Sequence, residues 1–576
     1  MGIELPNEDE VWLELRIEGF QIYSNASVRE TVDVARNLES MRRAVAHATN
    51  MNVRTPLTTK IYVFRDSATF TPFRDAMFDH SQRMTGAFIA HVDGNYIAIN
   101  TERGSDGIVF HELMHYFNNN TNPNLPLWLD EGLAEVYSTL RLNGELVTVG
   151  RPRRNHVRVL RTRLNLRLKD LFAFDRRSPE YRDGKGQNIF YAQSWALTHY
   201  LLFGHIDRKA RTPKFMELLA EGMDPSTAVK EAYGISVDHL EAEVRSYIRA
   251  YRFLTESYRI SDLRPREVGV PVEMSRSSTL YHLGDLLAHT AVRNHRDAEK
   301  FLFAALEADP LHSGANATLG YLRALHGRKA EADVFYRTAL ENAGDHFLPY
   351  LRAAENIMRS MSDLPPAERP AAARRARELF RQSIERNPEI PRSYGGLGAT
   401  YLTDGDPAEG IPLIEKSFAM APSRTSFGYN LALLYARNGE LSRAKSVIAE
   451  LRSRGGSEEY LVTADAALLQ QGVERINDLL RRGSVEEARE LALDLLDETS
   501  DEIFRSRLDQ HLAAIDRALE YRKSLALYNR AVVLVNQQNV LDARKVLDEL
   551  IAGGGDPDLI ASAVGLREKI AALVDQ

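Results

Sequence analysis

Residues 390–423 and 424–457 follow one another at the same length, thirty-four residues, and each reads as a pair of amphipathic helices. No other feature restricts the fold as much. One helix pair cannot bury its apolar stripe alone, so successive pairs must stack into an array. The pattern extends upstream: in 311–344 its marks are Gly320, Tyr321, Ala332, Tyr336 and Ala339, and in 279–310 they are Ala298, Ala305 and Pro310. Pro388 and Pro422 stand one period apart. Small residues at such positions let helices approach closely, so these are read as packing residues. The repeats are clear from 279 to 457, with an insertion at 360–372 carrying Pro365, Pro366 and Pro370, and they give way to longer helices over 458–576.

A chain of 576 residues is too long for a single core, so a further module must precede the array. With 44% hydrophobic and 27% charged residues it has the composition of a folded globular protein. A net charge of -7, without a long Lys/Arg run, excludes nucleic acid as the expected partner. Cysteine is absent, which removes disulfides, thiolate metal sites and thiol nucleophiles; any metal must sit on His and carboxylate groups. The first thirty residues are acidic and lack an apolar leader core, and no run of eighteen apolar residues occurs. The expectation is no membrane span, with a cytoplasmic location as the chain stands and an extracytoplasmic one if a leader has been removed.

Short apolar runs alternate with helical stretches from 11 to 100, which predicts an α+β module with a mixed sheet. Gly86–Ala90 and Tyr96–Asn100 flank a turn at Asp93-Gly94-Asn95 and form a predicted hairpin. Helical periodicity then runs from 105 to about 256, and 257–276 reads as a connector. These observations give a first domain over 1–264, a linker over 265–278 and an all-α solenoid over 279–576. By its period, its small residues and its terminal prolines, the solenoid resembles the tetratricopeptide repeat family, whose grooves bind other proteins.

In the first module, His111-Glu112-Leu113-Met114-His115 places two imidazoles four residues apart, on one helical face, where both can reach one cation. Glu112 lies at the edge of that face, positioned to take a proton from water without ligating the metal. Such a motif arises by accident in roughly 3 of 100 chains of this composition, so it needs corroboration. The segment Trp128-Leu129-Asp130-Glu131-Gly132-Leu133-Ala134-Glu135 supplies it, opening a second helix after Pro126 with carboxylates four apart.

Together these motifs resemble the gluzincin metallopeptidases, the thermolysin-like and aminopeptidase-N-like group. They are closest in pattern to bacterial peptidase-MA-like domains that precede tetratricopeptide arrays; the resemblance covers about 11–256. It implies one Zn2+ per chain held by His111, His115 and Glu131, with Glu135 orienting a ligand histidine. Phe190-Tyr191-Ala192-Gln193-Ser194-Trp195 resembles the aminopeptidase-N-like helix whose tyrosine donates to the oxyanion, a role that would fall to Tyr191. The group's Gly-x-Met-Glu-Asn amine anchor is missing, since the hairpin reads Gly86-Ala87-Phe88-Ile89-Ala90 without an acid. An endopeptidase is therefore expected, its substrate extended along an edge strand at Tyr96, Ile97, Ala98 and Ile99. The rival readings are a catalytically silent peptide-binding scaffold and zinc hydrolysis of a non-peptide bond.

Overall fold

Strands Phe20–Ser24, Thr59–Phe64 and Gly94–Asn100 carry large apolar or aromatic residues at both alternating sets of positions, so both faces of the sheet they build must be covered. The computed structural model describes the whole chain except residues 1, 50, 55–56, 79–84, 103–105, 123–124, 163–165, 176–177, 179–183, 262–266, 291–294, 422–423, 454–457, 499–501 and 575–576. It divides into two units, Met1–Asn356 and Ile357–Gln576.

The strands of the first unit are β1 (Leu13–Ile17), β2 (Phe20–Ser24), β3 (Thr59–Phe64), β4 (Gly86–His91), β5 (Gly94–Asn100), β6 (Arg141–Asn143), β7 (Leu146–Val149), β8 (Glu256–Arg259) and β9 (Val272–Glu273). Six form a mixed sheet in the order β4-β5-β3-β2-β1-β9, and β6-β7-β8 form a small antiparallel one. In the large sheet β2 pairs parallel with β3 and β3 with β5, while the other pairs are antiparallel. The parallel steps need crossovers: helix α1 (Val28–Ala48), opened by a Ser27/Glu30 capping box, makes the first, and α2 (Ser67–Met77) lies in the second.

On one face of the sheet Ile22, Ile61, Val63, Ile97 and Ile99 pack with Leu38 and Met41 of α1 and with Leu113 and Phe117 of helix α3 (Asp106–Thr121). After α3 come α4 (Leu127–Tyr137), α5 (Arg154–Thr162), α6 (Leu168–Ala173), α7 (Gly184–His199), a π-helical segment Tyr200–Gly204, α8 (Ile206–Ala220), α9 (Pro225–Tyr233) and α10 (Val237–Ala250). The other face presents Tyr23, Tyr62, Phe64, Tyr96 and Ala98, buried with Phe70 and Phe73 of α2 and with Leu283, Phe301 and Leu319. Those last three belong to α11 (Arg276–Thr290), α12 (Arg296–Ala308) and α13 (Ser313–Leu325); α14 (Lys329–Glu341) and α15 (Phe347–Ser360) follow. Polar groups pin the junction: the Tyr62 hydroxyl donates to the His282 carbonyl at 3.0 Å, and the Tyr96 hydroxyl to Asp285 at 3.1 Å.

The structure overturns one expectation about substrate binding. Tyr96, Ile97, Ala98 and Ile99 do not lie on an edge: β5 is bonded to β3 on one side and β4 on the other, so its backbone groups are already paired. Being buried on both faces marks β5 as an internal strand, and β4, with its mixed exposure, is the edge. The division between units also falls elsewhere than 265–278. Residues 262–266 of that segment lie outside the described residues, but β9 pairs with β1, and the Met274 amide donates to the Trp12 carbonyl at 2.8 Å. Helices α11–α14 then cover the tyrosine face, so the first unit runs on to Asn356.

Among the described residues of the second unit every regular element is a helix. Helices Pro391–Ala399 and Thr425–Arg437 begin thirty-four residues apart, as do Pro407–Met420 and Leu441–Ser453. Close approach explains its glycines: a Cβ on Gly398 would lie 2.3 Å from Ile414, and one on Gly428 would lie 2.7 Å from Leu451. Pro422 lies outside the described residues, and beyond 458 the helices lengthen, up to the 35 residues of Glu502–Asn536.

Candidate metal centre

Helix α3 sends Val109, Phe110, Leu113, Met114, Tyr116 and Phe117 into the core, which leaves positions 111, 115 and 118 on a face of their own. That face meets the start of α4. The Nε2 atoms of His111 and His115 are 3.2 Å apart, and Glu131 Oε2 lies 3.5 Å from each. Donors around a tetrahedral zinc, each bonded at about 2.05 Å, are about 3.4 Å from one another. The three side chains thus already stand at the separations such an ion requires, and a nitrogen–nitrogen–carboxylate set suits zinc.

Around this cluster is a cavity of about 670 Å³ whose lining includes Glu112, Asn118, Asp130, Tyr191 and, from the edge strand β4, Phe88, Ile89 and Ala90. Glu112 is 6% exposed, and burial raises its carboxyl above the usual range against the pull of His111 and His115. It lies against the start of β4: a Cβ on Gly86 would come within 2.9 Å of Glu112 Oε1. Burial would raise Glu131 as well, but His115 and His111 hold it far below the carboxylate range. For His115, burial works against the cation, yet Asp130 and Glu131 outweigh it and raise the imidazole well above 6.5. The Tyr191 hydroxyl, brought in from α7, donates to Glu131 Oε1 at 3.3 Å.

Glu135, one turn after Glu131, stands 3.8 Å from His111 Nδ1, an ion-pair separation longer than a hydrogen bond. Its other oxygen accepts from Arg153 and, at 2.8 Å, from His156, whose pKa is pushed down to about 3 by burial and by the neighbouring Arg153 guanidinium. The closer outer partner was not anticipated: Asp130 Oδ2 lies 3.0 Å from His115 Nδ1, and Asn118 donates to Asp130 Oδ1 at 2.8 Å. Asn118 is one turn beyond His115 on the ligand face, a spacing that could have revealed it. Arg153 and His156 arrive from α5 and its approach, with no signal in spacing. Asp130→Asn should weaken zinc binding by about 10- to 100-fold, as loss of such partners does, measured by competition with a chromophoric chelator. An unchanged affinity would remove Asp130 from the site.

The glycine between the two carboxylate turns has a steric cause. A Cβ on Gly132 would lie 2.1 Å from Thr198 Oγ1 and 2.7 Å from the Ser194 carbonyl, so α4 and α7 touch there. Overpacking at that contact, as in Gly132→Ala, should cost about 1–3 kcal/mol in thermal or denaturant unfolding and shift Glu131 relative to Tyr191. Two other histidines are structural. His199 Nε2 is 2.6 Å from the Gly150 carbonyl, and Tyr247 donates to its Nδ1 at 2.8 Å. His91 groups with Asp93 and His289, but the Arg352 guanidinium already sits there, 3.0 Å from Asp93 and 2.6 Å from His289.

Two family models match the chain. One, described as a protein of unknown function (DUF1570), spans residues 107–220, from α3 through α8 and hence every side chain of the cluster. The other is a tetratricopeptide repeat, over residues 373–425. No curated protein matches. Among solved structures the chain is similar to a thermophilic TPR protein of Thermus thermophilus, at 18% identity over 34% of this chain and 99% of that one, TM-score 0.28. It is also similar to the pilF protein of Pseudomonas aeruginosa, at 18% identity over 41% and 97%, TM-score 0.27. A tetratricopeptide repeat protein from Parabacteroides merdae matches at 13% identity over 54% and 99%, TM-score 0.25. The family match over residues 373–425 makes the repeats of the helical arm tetratricopeptide repeats, and among the described residues no helix is long and apolar enough to cross a membrane.

Proposed function

We propose that the first unit is a zinc-dependent peptidase of the gluzincin type, acting on internal peptide bonds, and that the tetratricopeptide arm binds a protein, either substrate or partner. The observation that carries this reading is the mutual spacing of His111 Nε2, His115 Nε2 and Glu131 Oε2 in the wall of the cavity, a spacing at which the three would hold one zinc ion. Zinc bound there would act as a Lewis acid toward water and the scissile carbonyl. Glu112, buried and raised in pKa, accepts the water's proton and delivers it to the departing amine. Tyr191 turns its hydroxyl from Glu131 to the developing oxyanion, a contribution of about 3 kcal/mol for a fixed donor. Backbone groups of the edge strand β4, in place of the internal β5, pair with an extended substrate.

The test is digestion of a proteome-derived peptide library by the zinc-loaded chain, with new termini read by mass spectrometry. Internal cleavage that stops on chelation and returns with zinc is the expected outcome. A library left intact, or cleaved equally well after chelation, would refute the peptidase.

A further inference from the structure

Among the described strands β4 has a sheet partner on one side only, and its Phe88, Ile89 and Ala90 line the metal cleft. Its far end is gripped by buried charge. A two-residue turn, Val92-Asp93, joins β4 to β5. The guanidinium of Arg352, on α15, donates to Asp93 Oδ2 from Nε at 3.3 Å and from Nη2 at 3.0 Å. Nη2 also donates to Nε2 of His289, on α11, at 2.6 Å, and that ring donates from Nδ1 to the Asp285 carbonyl at 2.8 Å. The side chains of Asp93, His289 and Arg352 are each no more than 2% exposed.

Aromatic rings complete the grip. His289 stacks on Tyr96 of β5, at 5.3 Å, and on Tyr321 of α13, at 4.9 Å, while the Tyr321 hydroxyl stands 3.3 Å from His91 Nε2 at the end of β4. Helices α11, α13 and α15 of the opening repeats thus converge on one turn. Apolar side chains could have closed this junction, and they would pack almost as well after a small slide of the hairpin. A buried ion pair would not, because any displacement leaves a charge in the interior without its partner. The pair therefore acts on position more than on net stability. Since β4 and β5 are in one-to-one register, with Ile89 opposite Tyr96, fixing the turn also fixes where the outer edge of β4 stands relative to the metal donors.

We infer that Asp93, Arg352 and His289 are positioning residues for substrate: they hold β4 where its outer edge can pair with an extended polypeptide lying across the metal cluster. The opening repeats are then part of the substrate-binding apparatus. The inference rests on the peptidase reading and adds to it residues that touch neither the metal donors nor the reacting bond. His111, Glu112 and His115 belong to α3 and stay in place when β4 loosens. What weakens is pairing that the bound and the reacting state share equally, which raises KM and leaves kcat.

The test compares the full zinc-loaded chain with Asp93→Asn, which keeps the size of the side chain, Arg352→Lys, which keeps the charge, and Tyr321→Phe, which removes one hydroxyl. Hydrogen exchange read by mass spectrometry should show β4 exchanging roughly tenfold faster in the first two variants, with α3 as in the parent. With β-casein as substrate, KM should rise roughly tenfold while kcat stays within about twofold; for the shortest blocked peptide that the parent cuts, kcat/KM should fall far less. If neither ion-pair variant melts cooperatively, Tyr321→Phe must show the same split at smaller size. Unchanged exchange and KM, or equal losses on both substrates, overturn the inference. If the parent cleaves nothing, yet β4 is freed in the variants and labelled β-casein binds them more weakly by anisotropy, the peptidase reading alone falls.

Discussion

Glu112→Gln should leave one zinc per chain and lower kcat/KM for peptide hydrolysis on the order of 10²- to 10⁴-fold, the span that a positioned general base contributes. That is about 3–5 kcal/mol of transition-state stabilisation. The substitution keeps the size of the side chain, so the contact with Gly86 and the wall of the cleft survive, and what is lost is the lone pair that takes a proton. Because Glu112 is not one of the three converging donors, metal content and melting temperature should be unmoved. The expected result is therefore a split: binding intact, turnover gone. Activity in the variant within tenfold of the parent would assign the proton transfer to another group.

His115→Ala should take bound zinc from one equivalent per chain to background by elemental analysis, since two remaining donors do not hold the ion against a chelator. Two further consequences follow from its neighbours. Removing the imidazole leaves Asp130 and Glu131 without the cation that they favour, so the apo variant should also melt below the apo parent. In the parent, Asp130 and Glu131 raise His115 well above 6.5, so at neutral pH the ion-free cluster holds a proton that zinc must displace. Apparent zinc affinity should accordingly fall as pH falls, by up to about tenfold per pH unit for each proton displaced. Full metal content in the alanine variant would refute the ligand set.

What could be read from the chain and what could not have separate physical causes. His111, His115 and Glu131 were legible because a helix converts spacing directly into a shared face, and Pro126 announces where the second helix starts. The repeat was legible for the same reason: small residues recur with the period because the packing recurs. Strand β5 was correctly expected as a strand, but its place inside the sheet depends on β3, more than thirty residues earlier, and nothing local records that pairing. Asp130 hid beside Glu131, since a carboxylate's job is set by which way it points. The tyrosine face was the least visible feature, because Tyr23, Tyr62 and Tyr96 come from three strands and become neighbours only in the sheet.

That face bears on how such a protein can be taken apart. The sequence pattern alone suggests a border near residue 265, where recognisable repeats are about to begin; burial draws it some ninety residues later, at Asn356. Cutting at the first border would lay bare three aromatic rows and strip Lys60 of its counterion Asp285. The opening repeats are the second slice of bread in a sandwich, and any excision, fusion or shuffling that respects the interior must carry them along with the sheet.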